Sequence, residues 1–225
     1  KKIIIEDASH ALGGKYDDGS PIGSCKYSDL TVFSLHPVKS ITSGEGGIIT
    51  TNNKIYYEKI KLLRNHGILR IKDVSKNNKF LSNSKDKNKK WYYEINQIGF
   101  NYRMPNINAA LACAQLEQLD LYLKKKRSLA NRYEKFFLSK GIKFRTETKN
   151  TKANYWLMCI ELENKTDYNK FLKDTNESNV MTRPVWELMS KLPMYNHCQR
   201  DNQKNAKKLK KEQGKTEAQY LYPGQ

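Results

Sequence analysis

The residues best suited to chemistry fall in three short segments. The first, Glu6-Asp7-Ala8-Ser9-His10-Ala11-Leu12-Gly13, directly follows the β-branched run Ile3-Ile4-Ile5. The second is Phe33-Ser34-Leu35-His36-Pro37-Val38-Lys39-Ser40-Ile41-Thr42-Ser43-Gly44-Glu45-Gly46-Gly47, and the third is Gly99-Phe100-Asn101-Tyr102-Arg103-Met104-Pro105. A carboxylate at the end of a buried strand is costly unless it meets a cation, which singles out Asp7. A lysine just past another strand, beside glycine and small residues, can approach a ligand closely, which singles out Lys39. Pyridoxal phosphate needs both, because a lysine holds it as a Schiff base and an acid pairs with its pyridinium nitrogen. The released lysine is then the base that moves the substrate proton. The phosphate needs hydroxyl and amide donors, and Ser34 lies on the same segment as Lys39.

Each feature alone has a plainer reading. An aspartate at a strand end is commonly a turn former or helix cap, and most lysines in a lysine-rich chain are solvated. His10, His36 and His66 read equally well as satisfied polar residues. Gly44-Glu45-Gly46-Gly47 is a turn that fits neither P-loop nor Rossmann spacing. Asn101 and Arg103 could simply cap the helix that follows. At this level the cofactor reading and the structural one both stand.

The elements that must position these residues alternate in type. Ile3–Ile5 reads as a buried strand, Leu30–Leu35 and Ile48–Thr51 as two more, and Lys54–Asn65 as a surface helix. Pro105–Ser139 carries the strongest helical spacing, with Pro105 suited to the first turn and Gly141 to the stop. Tyr155–Leu162 and Asn179–Val185 read as strands flanking a short helix, Tyr168–Asn176. The polar stretch 71–90 is long for a structureless connection and is expected to be a mobile insertion. The pattern indicates an α/β or α+β chain whose character changes near residue 140.

Composition narrows the class. Of 225 residues, 38% are hydrophobic and 28% charged, so the chain is polar yet able to build a core. No apolar run approaches the roughly 20 residues needed to span a bilayer, and no signal peptide is evident. The balance of 41 basic against 23 acidic residues gives a net charge of +18. Much of the excess sits in the Asn-rich stretches 71–90 and 200–215 with little aromatic interleaving. That argues for solvated surfaces over nucleic-acid binding, and leaves a modest attraction for phosphate-bearing ligands. Cys25, Cys113, Cys159 and Cys198 form no Cys-x-x-Cys pair, the four histidines are scattered, and no metal site is expected. Free thiols in a reducing cytoplasm are the expectation.

Taken together, Glu6–Gly14, the run Phe-Ser-x-His-Pro-x-Lys-x-x-Thr-x-Gly-Glu-Gly-Gly across 33–47, and Gly99-Phe100-Asn101-Tyr102-Arg103 through Leu119 resemble the sugar aminotransferases of the DegT/DnrJ/StrS group. The resemblance continues into Arg183-Pro184-Val185-Trp186 and Lys191-Leu192-Pro193-Met194-Tyr195, spanning about residues 3–205. It implies an α/β, type I (aspartate-aminotransferase-like) fold, present in part. Residues 1–103 would belong to the large cofactor-binding domain, 104–140 to a long connecting helix, and 141–205 to a smaller α+β C-terminal domain. The resemblance fades in 206–225, a polar tail of uncertain origin, and implies a chain incomplete at both ends.

Carried over position by position, Lys39 is the Schiff-base lysine and Asp7 the partner of the pyridinium nitrogen. His10 lies by the ring face and phenolic oxygen, Ser34 binds the phosphate, and Asn101 reaches the phosphate of a neighbouring subunit. The resemblance thus implies a homodimer. It also implies a nucleotide-linked 4-keto-6-deoxy sugar as substrate, of UDP-N-acetylhexosamine type, with glutamate as amino donor. The related sugar dehydratases carry histidine in place of the lysine, so Lys39 argues against them. His-Pro-Val-Lys resembles the branch acting on altrosamine precursors, whereas Asn101 onward and Thr182–Trp186 resemble the bacillosamine or legionaminic-acid branch. Ser190 stands where relatives often have histidine, and Arg183 is a candidate for the diphosphate. The competing expectation is an inactive fragment, or a basic interaction protein that retains the aminotransferase core.

Overall fold

The run Leu30-Thr31-Val32-Phe33-Ser34 forms strand β2, in which burial alternates: Thr31 and Phe33 are buried on one face, and Val32 and Ser34 lie on the other. The computed structural model describes residues 2–70, 93–95, 97–162, 165–198 and 218–221. Strand β1, Ile5–Asp7, pairs parallel with β2 in the register Ile5↔Leu30, Glu6↔Thr31 and Asp7↔Val32. Strand β3, Gly47–Thr50, pairs antiparallel on the other side of β2, giving the sheet order β1-β2-β3.

The expected buried strand at Ile3–Ile5 is corrected. The ladder begins at Ile5, and Ile3, Ile4 and Ile5 are 57%, 54% and 64% exposed. Among the described residues β1 is an edge strand. Burial concentrates one strand inward, on Ala8, Phe33, Leu35 and Ile41.

Helix α1, Lys54–Leu63, starts where Asn53 Oδ1 accepts the backbone N–H groups of Ile55 and Tyr56 at 2.8 and 3.4 Å. Past its end, strands β4, Ile68–Arg70, and β5, Tyr93–Ile95, pair antiparallel. The insertion expected at 71–90 lies outside the described residues.

The stretch read as one connecting helix is two. Helix α2, Asn106–Glu117, is capped by Pro105, and α3, Leu119–Ser139, follows after Gln118. The Gln118 N–H turns back to Gln115 O at 3.1 Å, a tight closure that ends α2 without glycine or proline. Gly141, at φ +71°, supplies the left-handed stop after α3.

Contacts divide the chain into two units, one of Lys1–Tyr16 and Ser20–Leu119, the other of Asp17–Gly19 and Asp120–Gln225. The second has its own core, in which Ala130 and Phe137 of α3 pack with Phe144, Met158, Ile160, Leu162 and Tyr168. Its sheet contains β6 (Lys143–Phe144), β7 (Met158–Glu161), β8 (Thr182–Pro184) and β9 (Ala218–Leu221), in the order β6-β7-β9-β8. Helix α4, Lys165–Glu177, precedes β8. Within the stretch expected to be a polar tail, residues 218–221 pair antiparallel with both β7 and β8.

Two charge clusters fasten this second unit. Arg127 on α3 forks onto Glu147 at 2.9 and 2.7 Å and also donates to Ala153 O at 2.7 Å. Glu161, 7% exposed, meets Lys143 Nζ at 3.0 Å and Arg145 Nε at 2.6 Å.

Candidate functional site

Pairing β1 parallel to β2 brings the carboxyl ends of both strands to one edge, where ligands of open α/β sheets gather. The side chains of β1 diverge at that edge. Glu6 points into a hydroxyl cluster: Tyr16 Oη donates to its carboxylate, as do Thr31 Oγ1 at 3.0 Å and Ser28 Oγ at 3.4 Å. Burial and the Glu6 carboxylate push the Tyr16 phenol well up, so it stays a donor. Asp7 projects to the opposite face, which alternation assigns also to Val32 and Ser34.

Asp7 is held ionised. Ser9 donates to Asp7 Oδ1 twice, from Oγ at 2.5 Å and from its backbone N–H at 3.0 Å. These bonds, with His10 and Lys39 nearby, keep the carboxyl below its ordinary range against the opposing effect of burial. Burial first, then the charge of Lys39, pushes His10 down, which leaves a neutral imidazole at pH 7. Burial likewise lowers Lys39, and Asp7 only partly offsets it. Three of the sequence-derived residues therefore share one electrostatic neighbourhood: Asp7, His10 and Lys39.

Lys39 rides on the connection between β2 and β3, residues 35–46. This connection is closed on itself by Leu35 N–H to Gly46 O at 2.9 Å and Ser43 N–H to Leu35 O at 3.0 Å. Thr42 Oγ1 donates to Leu35 O at 3.0 Å and accepts the Gly44 N–H at 2.9 Å. Leu35, Ile41 and Ser43 are buried beneath it, so the turn is anchored while Lys39 above it is half-buried.

The other two residues have local partners. Ser34 Oγ accepts the His36 N–H at 3.3 Å. Asn101 Oδ1 accepts Arg103 Nε at 2.9 Å, and its backbone bridges to Asn65. The chain holding Asn101 presses against the end of α1: His66 N–H bonds Phe100 O at 3.0 Å, and Tyr102 N–H bonds Arg64 O at 2.9 Å. Only glycine fits at this approach, since a Cβ on Gly99 would lie 2.4 Å from the Gly67 nitrogen.

Sequence reasoning missed two residues here. Ser9 is visible afterwards as an Asp-x-Ser spacing, a local turn that aims a donor at its own acid. Asn108 has no such signal, because its partner, the Ser43 carbonyl, lies 65 residues away.

The sequence pattern of the DegT/DnrJ/EryC1/StrS aminotransferase family matches residues 2–214. The chain belongs to this family. A UDP-4-amino-4,6-dideoxy-N-acetyl-beta-L-altrosamine transaminase of Campylobacter jejuni (strain 81-176) is 40% identical over 134 residues, 60% of this chain and 30% of that protein. A GDP-perosamine synthase of Escherichia coli O157:H7 is 30% identical over 193 residues, 86% of this chain and 47% of that protein. Among solved structures, a putative sugar aminotransferase from Streptococcus pneumoniae in its PLP-form superposes with a TM-score of 0.77 at 22% identity. That match covers 97% of this chain and 52% of the other. The chain thus has a mixed α/β fold of type I and spans about half or less of these relatives' length.

Proposed function

We propose that this DegT-family chain carries the catalytic lysine and cofactor-facing acid of a pyridoxal-phosphate-dependent sugar aminotransferase. The observation that carries the reading is geometric: the parallel β1–β2 register sets Asp7 on the sheet face of Ser34, and the β2–β3 connection that follows Ser34 carries Lys39. The donor set suits the cofactor: a carboxylate for a pyridinium, an amine for a Schiff base, and a hydroxyl on the same sheet face for a phosphate. When bound, the cofactor supplies an electron-accepting ring through which nitrogen passes from an amino acid to a ketone.

The chain's own groups do the rest. Asp7 holds the proton on the ring nitrogen. Lys39 Nζ anchors the cofactor and, once released, takes the proton from the amino donor's α-carbon. His10, neutral and beside Lys39, orients the ring without competing for that proton. Ser34 Oγ donates to the phosphate. Asn101, between the exposed Phe100 and Tyr102, reaches the phosphate of a second copy in a homodimer.

Glutamate is the amino donor in this reading, and the acceptor is a UDP-linked 4-keto-6-deoxy-N-acetylhexosamine. The name of the Campylobacter relative supports the acceptor. The free cysteines support a cytoplasmic setting. The test is 2-oxoglutarate release from glutamate when the purified chain is given cofactor and either a UDP- or a GDP-linked 4-keto sugar. The UDP sugar is expected to turn over, and Lys39→Ala to lose at least about 10³-fold. Turnover of the GDP sugar alone would overturn the UDP assignment, and turnover by Lys39→Ala would overturn the role of Lys39.

A further inference from the structure

The connection that carries Lys39 is closed by its own hydrogen bonds at one end, but its far side needs an outside support. That side is the turn Ser43-Gly44-Glu45-Gly46, and its carbonyls are at issue. Ser43 is fully buried, and its Oγ donates to Glu45 O at 2.9 Å. The Ser43 carbonyl is met by Asn108 Nδ2 at 2.6 Å, from the first turn of α2. A buried carbonyl left without such a donor would cost free energy or pull the turn toward water.

The surroundings leave the turn little freedom to adjust. A Cβ on Gly44 would come 3.3 Å from Asn108 Nδ2, and one on Gly46 would come 2.6 Å from Met104 Cε. Met104 and Asn108 lie on the segment that begins with Asn101, so both supports of the turn come from one piece of chain. One amide therefore joins two segments: the connection holding Lys39 and the stretch holding Asn101.

We infer that Asn108 is a positioning residue: its side-chain amide, on Ser43 O, sets the Lys39 connection in register with the Asn101 segment. The inference rests on the reading of Lys39 above and extends it to a residue that touches no reacting atom. A shift of about 1 Å in a reacting group costs of order 10²-fold in rate, so such a tether matters for chemistry.

The test compares wild type with Asn108→Asp, Asn108→Ala and Asn108→Gln. Asp keeps the size of the side chain but sets an acceptor against the Ser43 carbonyl, whereas Gln keeps the amide donor. Amide hydrogen exchange on the full chain without cofactor is read at residues 39–46 and in the β2–β3 ladder. Asn108→Asp and Asn108→Ala are expected to exchange about tenfold faster at 39–46 with the ladder within about twofold of wild type, and Asn108→Gln to recover most of the protection. Unchanged exchange at 39–46, or an equal rise across the ladder, would overturn the inference. Should Asn108→Ala not fold, the Asp and Gln pair carries the same comparison.

The second readout is the pH midpoint of the visible absorbance after loading with pyridoxal phosphate. Asn108→Asp is expected to move it by about half a unit while Asn108→Gln leaves it in place. If wild type takes up no cofactor at Lys39, the reading of Lys39 falls, and the exchange data still decide the role of Asn108.

Discussion

Ser9 donates twice to Asp7 and lowers its carboxyl below the ordinary range. Ser9→Ala removes the shorter bond, so the folded-state pKa of Asp7 rises toward its ordinary value. The ionised form is then lost at a higher pH as the solution is acidified. The acid limb of cofactor binding is expected to move up by about half a unit, read by titrating the visible absorbance against pH. A limb that stays in place would mean Ser9 is not what holds Asp7 down. Thiols give a contrasting case at the same scale. Burial pushes Cys159 up to about 12, whereas Cys198 is exposed. Alkylation at pH 8 followed by peptide mapping is expected to label Cys198 quickly and Cys159 only on unfolding. Residue types alone made Asp7 and Lys39 candidates beside plainer structural readings, and the family resemblance gave them their expected roles. Residue types could not show that Ser9 or Asn108 supports the pair, since a hydroxyl or amide has no distinctive composition.

Elements with strong local signals were legible in the sequence. Leu30–Leu35 is a mainly apolar run, Lys54–Asn65 sets apolar residues between charges, and α3 ends at a left-handed Gly141. Features set by distant partners were not. The exposure of Ile3–Ile5 depends on what packs over the strand's faces, which no local pattern encodes. The break at Gln118 arises from a tight closure with no glycine or proline to announce it. Strand β9 lies between β7 and β8, pairings that neighbouring residues cannot specify. The Arg127–Glu147 fork offers a test of element-level energetics. Arg127→Ala is expected to destabilise the second unit by about 1–3 kcal/mol, since it strips a charged hydrogen-bond pair from a partly buried carboxylate. Arg127 lowers the pKa of Glu147. The stabilisation is therefore present above the unfolded carboxylate pKa and is lost as pH falls through the lower folded value. Urea unfolding at pH 7 and at pH 3 should show the difference between variant and wild type shrinking at the lower pH. An undiminished difference would contradict the ionic origin.

For the whole molecule, the exposed apolar residues around Asn101 bear most directly on assembly. Ile98 is 87% and Ile107 85% exposed, with Phe100 and Tyr102 between them in sequence. Such a surface suits a partner, and the proposed homodimer would place a second copy there. Sedimentation is expected to show a dimer that Ile98→Asp weakens, together with reduced retention of the cofactor. A monomeric wild type that holds the cofactor normally would remove Asn101 from the site.

Whether Lys39 bonds the cofactor is read by one measurement that does not rely on turnover. The purified chain is mixed with pyridoxal phosphate, reduced with borohydride, digested and mapped by mass. One stoichiometric label is expected, on the peptide containing Lys39 and absent from Lys39→Ala. Label spread over surface lysines, or undiminished in Lys39→Ala, would contradict it.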